Sequence, residues 1–254
     1  MPSQLEHTHA TSRATLDLTH SAVGVDLRDS PTPSVTAVIP TLNEAENIPW
    51  VLSRLPSWVE DIVVVDGYST DATPEVVRRH RPDARVIHQT RKGKGNALRC
   101  GFEAARGDII VMLDADGSTD PAEIPRFVAA LRTGADFAKG TRYMTGGGSA
   151  DITTARSLGN KLFTRTVNSF WGSNFTDLCY GYNAFWRHCL PALNPDANGF
   201  EIETLMAIRA VRMELKVVEV PSYESSRMSG SSNLSARKDG IRVLRTIMAE
   251  RLRP

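Results

Sequence analysis

From residue 34 onward the chain alternates short apolar runs with segments of helical period. The runs are SVTAVIP (34–40), DIVVVDG (61–67), ARVIHQ (84–89) and DIIVMLDAD (108–116), rich in β-branched residues. Between them lie AENIPWVLSRLP, TPEVVRRHR and KGNALRCGFEAAR. Strands alternating with helices predict βαβ units and a parallel sheet. The runs lack polar alternation, as strands covered on both faces do. Further along, DFAKGTRYM (136–144) and LKVVEVPS (215–222) predict two more strands. TTARSLGNKLFTRTVNSFWG and ANGFEIETLMAIRAVRM predict helices, and GGGSAD (146–151) a flexible joint. Thr73 before Pro74, and Asp120 before Pro121, read as N-caps with proline at the first helical position.

The two ends differ from this rhythm. Residues 1–33 are rich in Thr, Ser, His and Asp without periodicity, which predicts a disordered leader. At the other end, Ile241, Leu244, Ile247 and Met248 recur at helical spacing. Arg237, Lys238, Arg242, Arg245, Arg251 and Arg253 outnumber Asp239 and Glu250 there. That pattern predicts a basic amphipathic helix over 236–254, of a kind that can lie on anionic headgroups or pack on its own domain.

Composition narrows the class. A chain of 254 residues with net charge +1 gives no reason to expect nucleic acid as a partner. Its three cysteines, Cys100, Cys179 and Cys189, are widely spaced and suggest neither a disulfide framework nor a zinc site. No apolar run is long enough to span a membrane, and the first residues lack the apolar core of a secretory signal. The expected location is cytoplasmic, with a peripheral contact at the cytoplasmic membrane face if the last helix binds lipid.

In an open parallel sheet, ligands bind outside the carboxyl ends of the strands. Three predicted strands end there in polar signatures: PTLNEAEN, DGYSTDAT and DADGS. Asp114 and Asp116 form the strongest. Two anions one residue apart stay ionised together only if cations or hydrogen bonds hold them. Their oxygen donors suit Mg2+ or Mn2+, which complete their shells with phosphates and water. Asp120 already serves as a cap, and Asp71 also reads as structural. Arg91, Lys92 and Lys94 read as a solvated basic loop or as a loop facing phosphates. GxGxxG, Walker and GxSxG patterns are absent, and no histidine has an acidic partner at a telling spacing. Arg227, in SSRMSGSSNL, could be carried by a lid onto a phosphate.

These motifs, in order, resemble the family 2 glycosyltransferases. The segments are VIPTLNEAENI, VVVDGYSTDAT, KGKGNAL, LDADGS, AKGTRY, RSLGN, GYNAFW, GFEIETLM and VPSYESSRMSGSSNL, spread over residues 35 to 235. The nearest subgroup is the dolichyl- or polyprenyl-phosphate mannosyl and glucosyl transferases. The resemblance implies a GT-A fold over 34–235: a mostly parallel central sheet flanked by helices, with a nucleotide-binding half merged with an acceptor-binding half. It implies that Pro40, Leu42, Glu44 and Asp66 contact the nucleoside. Asp114, Ala115 and Asp116 match the metal and ribose-diphosphate motif, with Ser118 a further metal ligand. Arg142 and Arg227 match arginines facing the sugar diphosphate, and Arg156 a position linked to the acceptor phosphate. Three positions depart from the pattern: Gly67 stands for a second aspartate, Asn183 for an arginine and Asn233 for a lysine.

The resulting expectation is an inverting, metal-dependent transfer of a hexose from a nucleotide-diphosphate sugar to an acceptor, foremost a polyprenyl phosphate. A cation bridging Asp116 and the diphosphate would stabilise the departing charge together with Arg227, with Arg142 assisting. A phosphate acceptor is already anionic and needs little base catalysis. An alcohol would need a carboxylate base, for which Glu201 and Glu203 are candidates, unless they only cap and orient their helix. A soluble-acceptor glycosyltransferase and a sugar-phosphate nucleotidyltransferase are the alternatives; the latter would want a Gly-rich loop after the first strand.

Overall fold

The computed structural model describes residues 32–253; the predicted leader lies, but for Thr32 and Pro33, outside the described residues. The first half reads β1 (Val35–Thr41), α1 (Ile48–Arg54), β2 (Asp61–Asp66), α2 (Thr73–His80), β3 (Arg85–His88), α3 (Lys94–Ala104), β4 (Ile109–Met112) and α4 (Ile124–Arg132). The second reads β5 (Phe137–Thr141), β6 (Gly148–Ser149), α5 (Thr154–Trp171), β7 (Asn183–Trp186), α6 (Leu190–Leu193), α7 (Ile202–Arg212), β8 (Val217–Pro221), β9 (Tyr223–Glu224) and α8 (Ala236–Leu252).

Seven strands form one sheet in the order β3-β2-β1-β4-β7-β5-β8, and β6 pairs with β9 in a separate ladder. Every pairing in the large sheet is parallel except those of β7, which runs antiparallel to both β4 and β5. The reversed strand was not expected from the sequence. It matters for function because it brings residues 177–182 to the carboxyl edge, where the β1, β2 and β4 loops also emerge.

The sheet is covered on both faces. Ala37, Ile39, Val64, Ile109 and Val111 pack with α1 and α4 through Ile48, Leu52, Phe127 and Leu131. Their neighbours Val38, Val63, Val65, Ile110 and Met112 point the other way, onto Leu98 and Phe102 of α3 and Leu205 and Met206 of α7. The alternation is the period of two of a strand. Truncating a fully buried anchor such as Phe127 to alanine removes about 3–5 kcal/mol.

Several local expectations are corrected. The fourth strand ends at Met112, so Asp114 and Asp116 lie in the loop beyond it. Thr73 is not a cap: the Asp71 carboxylate accepts from Thr73 N at 3.0 Å and Ala45 N at 3.1 Å. Asp120 does cap, accepting from Ala122 N at 2.9 Å, but Pro121 opens a 3-10 turn ahead of α4. The helix expected from Ala197 starts at Ile202, because Gly199 and Phe200 turn the chain first.

The stripe expected on the last helix splits. Ile247 joins Val243 in a cluster with Val167 of α5 and Ile208 of α7, whereas Ile241, Leu244 and Met248 are exposed. Glu250 fastens the helix by accepting from Arg209 at 2.8 Å, Arg212 at 3.0 Å and Arg253 at 3.0 Å.

Candidate active site at the carboxyl edge

A cleft of about 630 Å³ opens at the carboxyl edge of the sheet. Pro40, Leu42 and Glu44 form one wall, and Asp114, Ala115, Asp116 and Ser118 the base. Arg142, Arg156, Glu203 and Arg227 also line it. Asp66 and Glu201 stand behind the lining.

The two loop aspartates each meet a cation. Lys94 Nζ, at the start of α3, lies 2.6 Å from Asp114 Oδ1 and 3.0 Å from Glu203 Oε1. Arg227 Nη1 donates to Asp116 Oδ2 at 3.1 Å, and Ser118 N to Asp116 Oδ1 at 3.0 Å. These partners explain how the anions tolerate each other. Burial works against the Lys94 ammonium, but Asp114 and Glu203 outweigh it and raise its pKa. Burial holds the Glu203 carboxyl above the usual range. Lys94 is therefore no solvated loop residue: its side chain is 13% exposed, while Arg91 and Lys92 face solvent. Gly181 makes room for the cluster. A Cβ there would stand 2.9 Å from Lys94 Nζ and 3.1 Å from Asp114 Oδ2.

Arg227 spans the cleft. Nη2 donates to Glu44 Oε1 at 2.5 Å and Nε to the Ser229 carbonyl at 2.7 Å. Burial raises the pKa of Glu44, although Asn47 Nδ2 also donates to it, at 2.6 Å. The loop is closed onto the site at two more points: Met228 N donates to the Asp116 carbonyl and Ser225 N to the Ser118 carbonyl. Gly117, at φ +78°, accommodates this closure, because a Cβ would stand 2.6 Å from Met228 Sδ.

Arg142 is differently disposed from expectation. It is 7% exposed and bound to Asp177 through Nε at 2.7 Å and Nη2 at 3.0 Å, and to Glu224 through Nη1 at 3.0 Å. Its donors are thus engaged by carboxylates rather than directed at an open diphosphate position. Arg156 lines the cleft from the first turn of α5 and pairs with Asp151 at 2.9 Å. Glu201 Oε1 accepts from Gly199 N at 3.0 Å, and its buried Oε2 is unpaired.

Asp66 is 1% exposed at the end of β2. Its Oδ2 accepts from Tyr68 N at 3.0 Å and Ser69 N at 3.1 Å, and its Oδ1 is unpaired. His88 Nδ1 lies 3.4 Å away, and its ring stacks on Tyr68. Sequence spacing gave no hint of that acidic partner for a histidine. Asp177, Glu224, Lys94 and Gly181 were likewise absent from the expected site. The phosphate-facing alternative for the basic loop was the one available signal for Lys94.

Asp114, Asp116 and Ser118 offer oxygen donors only, a set that fits a hard divalent cation. A softer constellation, Asp136, His188 and Cys189 with ligand atoms within 4.8 Å of one another, lies at the other edge of the sheet. Its carboxylate is engaged by Lys216 N at 2.8 Å.

A sequence model of the family described as Glycosyl transferase family 2 matches residues 36–192. An undecaprenyl-phosphate mannosyltransferase of Micrococcus luteus is 36% identical over 216 residues, covering 79% of this chain and 87% of the relative. A polyprenol monophosphomannose synthase of Mycolicibacterium smegmatis is 33% identical over 218 residues, covering 81% of this chain and 82% of that one. Among solved structures, glucosyl-3-phosphoglycerate synthase from Mycobacterium tuberculosis, in complex with Mn2+, UDP and glucosyl-3-phosphoglycerate, superposes with a TM-score of 0.69 at 22% identity. That likeness covers 87% of this chain and 81% of the other and shows the GT-A fold. With its fold, its cleft and its sequence in agreement, the chain belongs to glycosyl transferase family 2 and is a glycosyltransferase.

Proposed function

We propose that the chain transfers a hexose, mannose by the relatives' names, from a nucleoside-diphosphate sugar to a polyprenyl phosphate with inversion at the anomeric carbon. The observation that carries this reading is the shape of the cleft. From the charged base it continues between α5 and α8, past Ile152, Gly159, Phe163, Leu234, Gly240 and Val243. A Cβ built at Gly159 would meet no side chain and no backbone outside its own stretch of helix within 4 Å, so the arm is open at that point. On the same two helices Leu158, Leu162, Ile241 and Leu244 are exposed. Such a groove suits an isoprenoid chain, with its phosphate toward the charged end. Exposed apolar side chains among Lys161, Arg165, Arg237 and Arg245 suit contact with an anionic bilayer surface, each cation contributing about 1 kcal/mol.

The nucleoside would lie along Pro40, Leu42 and Glu44, above Asp66. Mg2+ or Mn2+ held by Asp114, Asp116 and Ser118 would neutralise charge on the diphosphate. A phosphate oxygen of the acceptor attacks the anomeric carbon as its bond to the diphosphate breaks, and the electron pair leaves with the nucleoside diphosphate. Arg227 turns from Asp116 and Glu44 to the oxygens on which that charge grows. Arg142, bound to Asp177 and Glu224, acts by fixing the cleft wall rather than by touching the diphosphate. Arg156 draws the acceptor phosphate. No histidine lines the cleft among the described residues, and an anionic acceptor needs no proton removed. Glu203, paired with Lys94, orients the sugar and the cation cluster.

The test is transfer of radiolabelled sugar from GDP-mannose, GDP-glucose, UDP-glucose and UDP-galactose, with Mn2+, to undecaprenyl phosphate or to 3-phosphoglycerate. Label should pass into the organic phase with the lipid acceptor. Label appearing only in a water-soluble product would replace this reading with a soluble acceptor.

A further inference from the structure

Lys139 occupies the middle of β5, whose five residues are all buried, and is itself 1% exposed. An ammonium carries three donors. Among the described residues Nζ has one hydrogen-bond partner, the Tyr180 carbonyl at 3.5 Å, and no carboxylate stands in ion-pair contact with it. Burial pushes its pKa down, and the charges of Asp177 and Glu219 oppose that. The antiparallel register places Asn183 of β7 directly opposite. Asn183 Nδ2 donates to the same carbonyl at 3.2 Å, and its buried Oδ1 has no partner.

The carbonyl they share precedes Gly181, the residue against which Lys94, Asp114 and Glu203 pack. A shift of this backbone would carry Gly181 toward or away from the charged cluster. We infer that Lys139 is a positioning residue: with Asn183 it holds the Tyr180 carbonyl, and so the floor on which Asp114 meets Lys94 and Glu203. A buried amine with no carboxylate in ion-pair contact is a burden on folding, and apolar replacements of buried charges are often neutral or stabilising. A residue kept for packing would show the reverse.

The inference rests on the proposed function only where Asp114 helps bind a metal-diphosphate, so the experiment has two independent arms. In Lys139→Met the melting temperature should stay level or rise. Calorimetry with GDP and UDP should show Mn2+-dependent binding weakened about tenfold, as loss of a group supporting a metal ligand does, with metal-free binding unchanged. Cross-strand partners point to one face, so Lys139→Asn with Asn183→Lys returns the ammonium to the same space and should recover most of the lost affinity. A marked fall in melting temperature, unchanged Mn2+-dependent binding, or no recovery in the exchanged pair would each overturn the inference. The second arm is a crystal structure of Lys139→Met, in which Gly181 should shift and the Lys94–Asp114 contact lengthen beyond 2.6 Å. An unmoved floor would overturn the inference even if wild-type protein bound neither nucleotide, a result that would refute the functional reading instead.

Discussion

Arg227→Ala should move metal binding and catalysis in opposite directions. In the resting site Arg227 holds Asp116 at 3.1 Å and Glu44 at 2.5 Å, with the Arg227 side chain 16% exposed. A cation arriving at Asp116 must displace it. A hydrogen bond between charged groups contributes about 1.5–3 kcal/mol, and the lower end applies to a long contact on a partly open carboxylate. Removing this competitor should tighten the binding of Mn2+ alone by about tenfold. In the proposed mechanism the same substitution removes a donor from the departing diphosphate. A donor facing growing charge supplies up to about 3 kcal/mol, less what it costs Arg227 to leave Asp116 and Glu44, so kcat should fall by up to about 150-fold. Lysine should restore part of the rate, because it brings charge without the planar fork. Calorimetric titration of Mn2+ and single-turnover transfer measure the two halves. Weaker Mn2+ binding in Arg227→Ala, or a rate loss below about threefold, would refute the displacement and the assigned role respectively.

Asp116→Ala should lower turnover by at least about 3 kcal/mol, and excess EDTA should do the same to wild-type protein; full activity in EDTA would contradict the assignment. Asp177→Asn should destabilise the fold by about 1.5–3 kcal/mol in urea unfolding, because it removes one of the two carboxylates that hold buried Arg142 and leaves Glu224 alone to do so. Burial would raise the Asp177 carboxyl, but Arg142 and Lys139 outweigh it and hold it below the usual range. A carboxylate so depressed contributes stability above its unfolded pKa of about 4 and loses it as pH falls. Wild-type stability should thus decline on acidification below about pH 4, with a flatter profile in Asp177→Asn; parallel profiles would refute the pairing. Leu158→Glu with Leu162→Glu should reduce flotation with anionic liposomes at low salt, and wild-type protein that does not float at all would dispose of the bilayer contact.

Much of this architecture was legible in the sequence because its signals are local. β-Branched runs announced the parallel strands, and the carboxylates after the fourth run marked the base of the cleft. β7 was not legible, since NAFW is only four residues long and Gly181, two residues before it, suggests a turn. Lys94 admits two readings in the sequence, because cations in a basic loop are normally solvated and its partners, Asp114 and Glu203, lie far along the chain. Arg142 was seen as a charge but not as a paired one, because Asp177 and Glu224 are 35 and 82 residues away. The last helix showed its apolar positions but not which way they face. Val243 and Ile247 turn inward only because α5 and α7 are there to receive them.

The reversed strand also bears on how the chain can be made. β7 joins β4 on one side to β5 on the other, yet both neighbours are synthesised before it. Until Asn183–Trp186 emerge, β4 has one edge unpaired, and β5, whose other neighbour β8 is made later still, has both. The amino-terminal strands can associate early, but the sheet closes only through pairings that span many residues, which are slow to form. A nascent chain arrested before Asn183 is accordingly a species at risk of edge-to-edge association, and one that chaperones would have reason to bind.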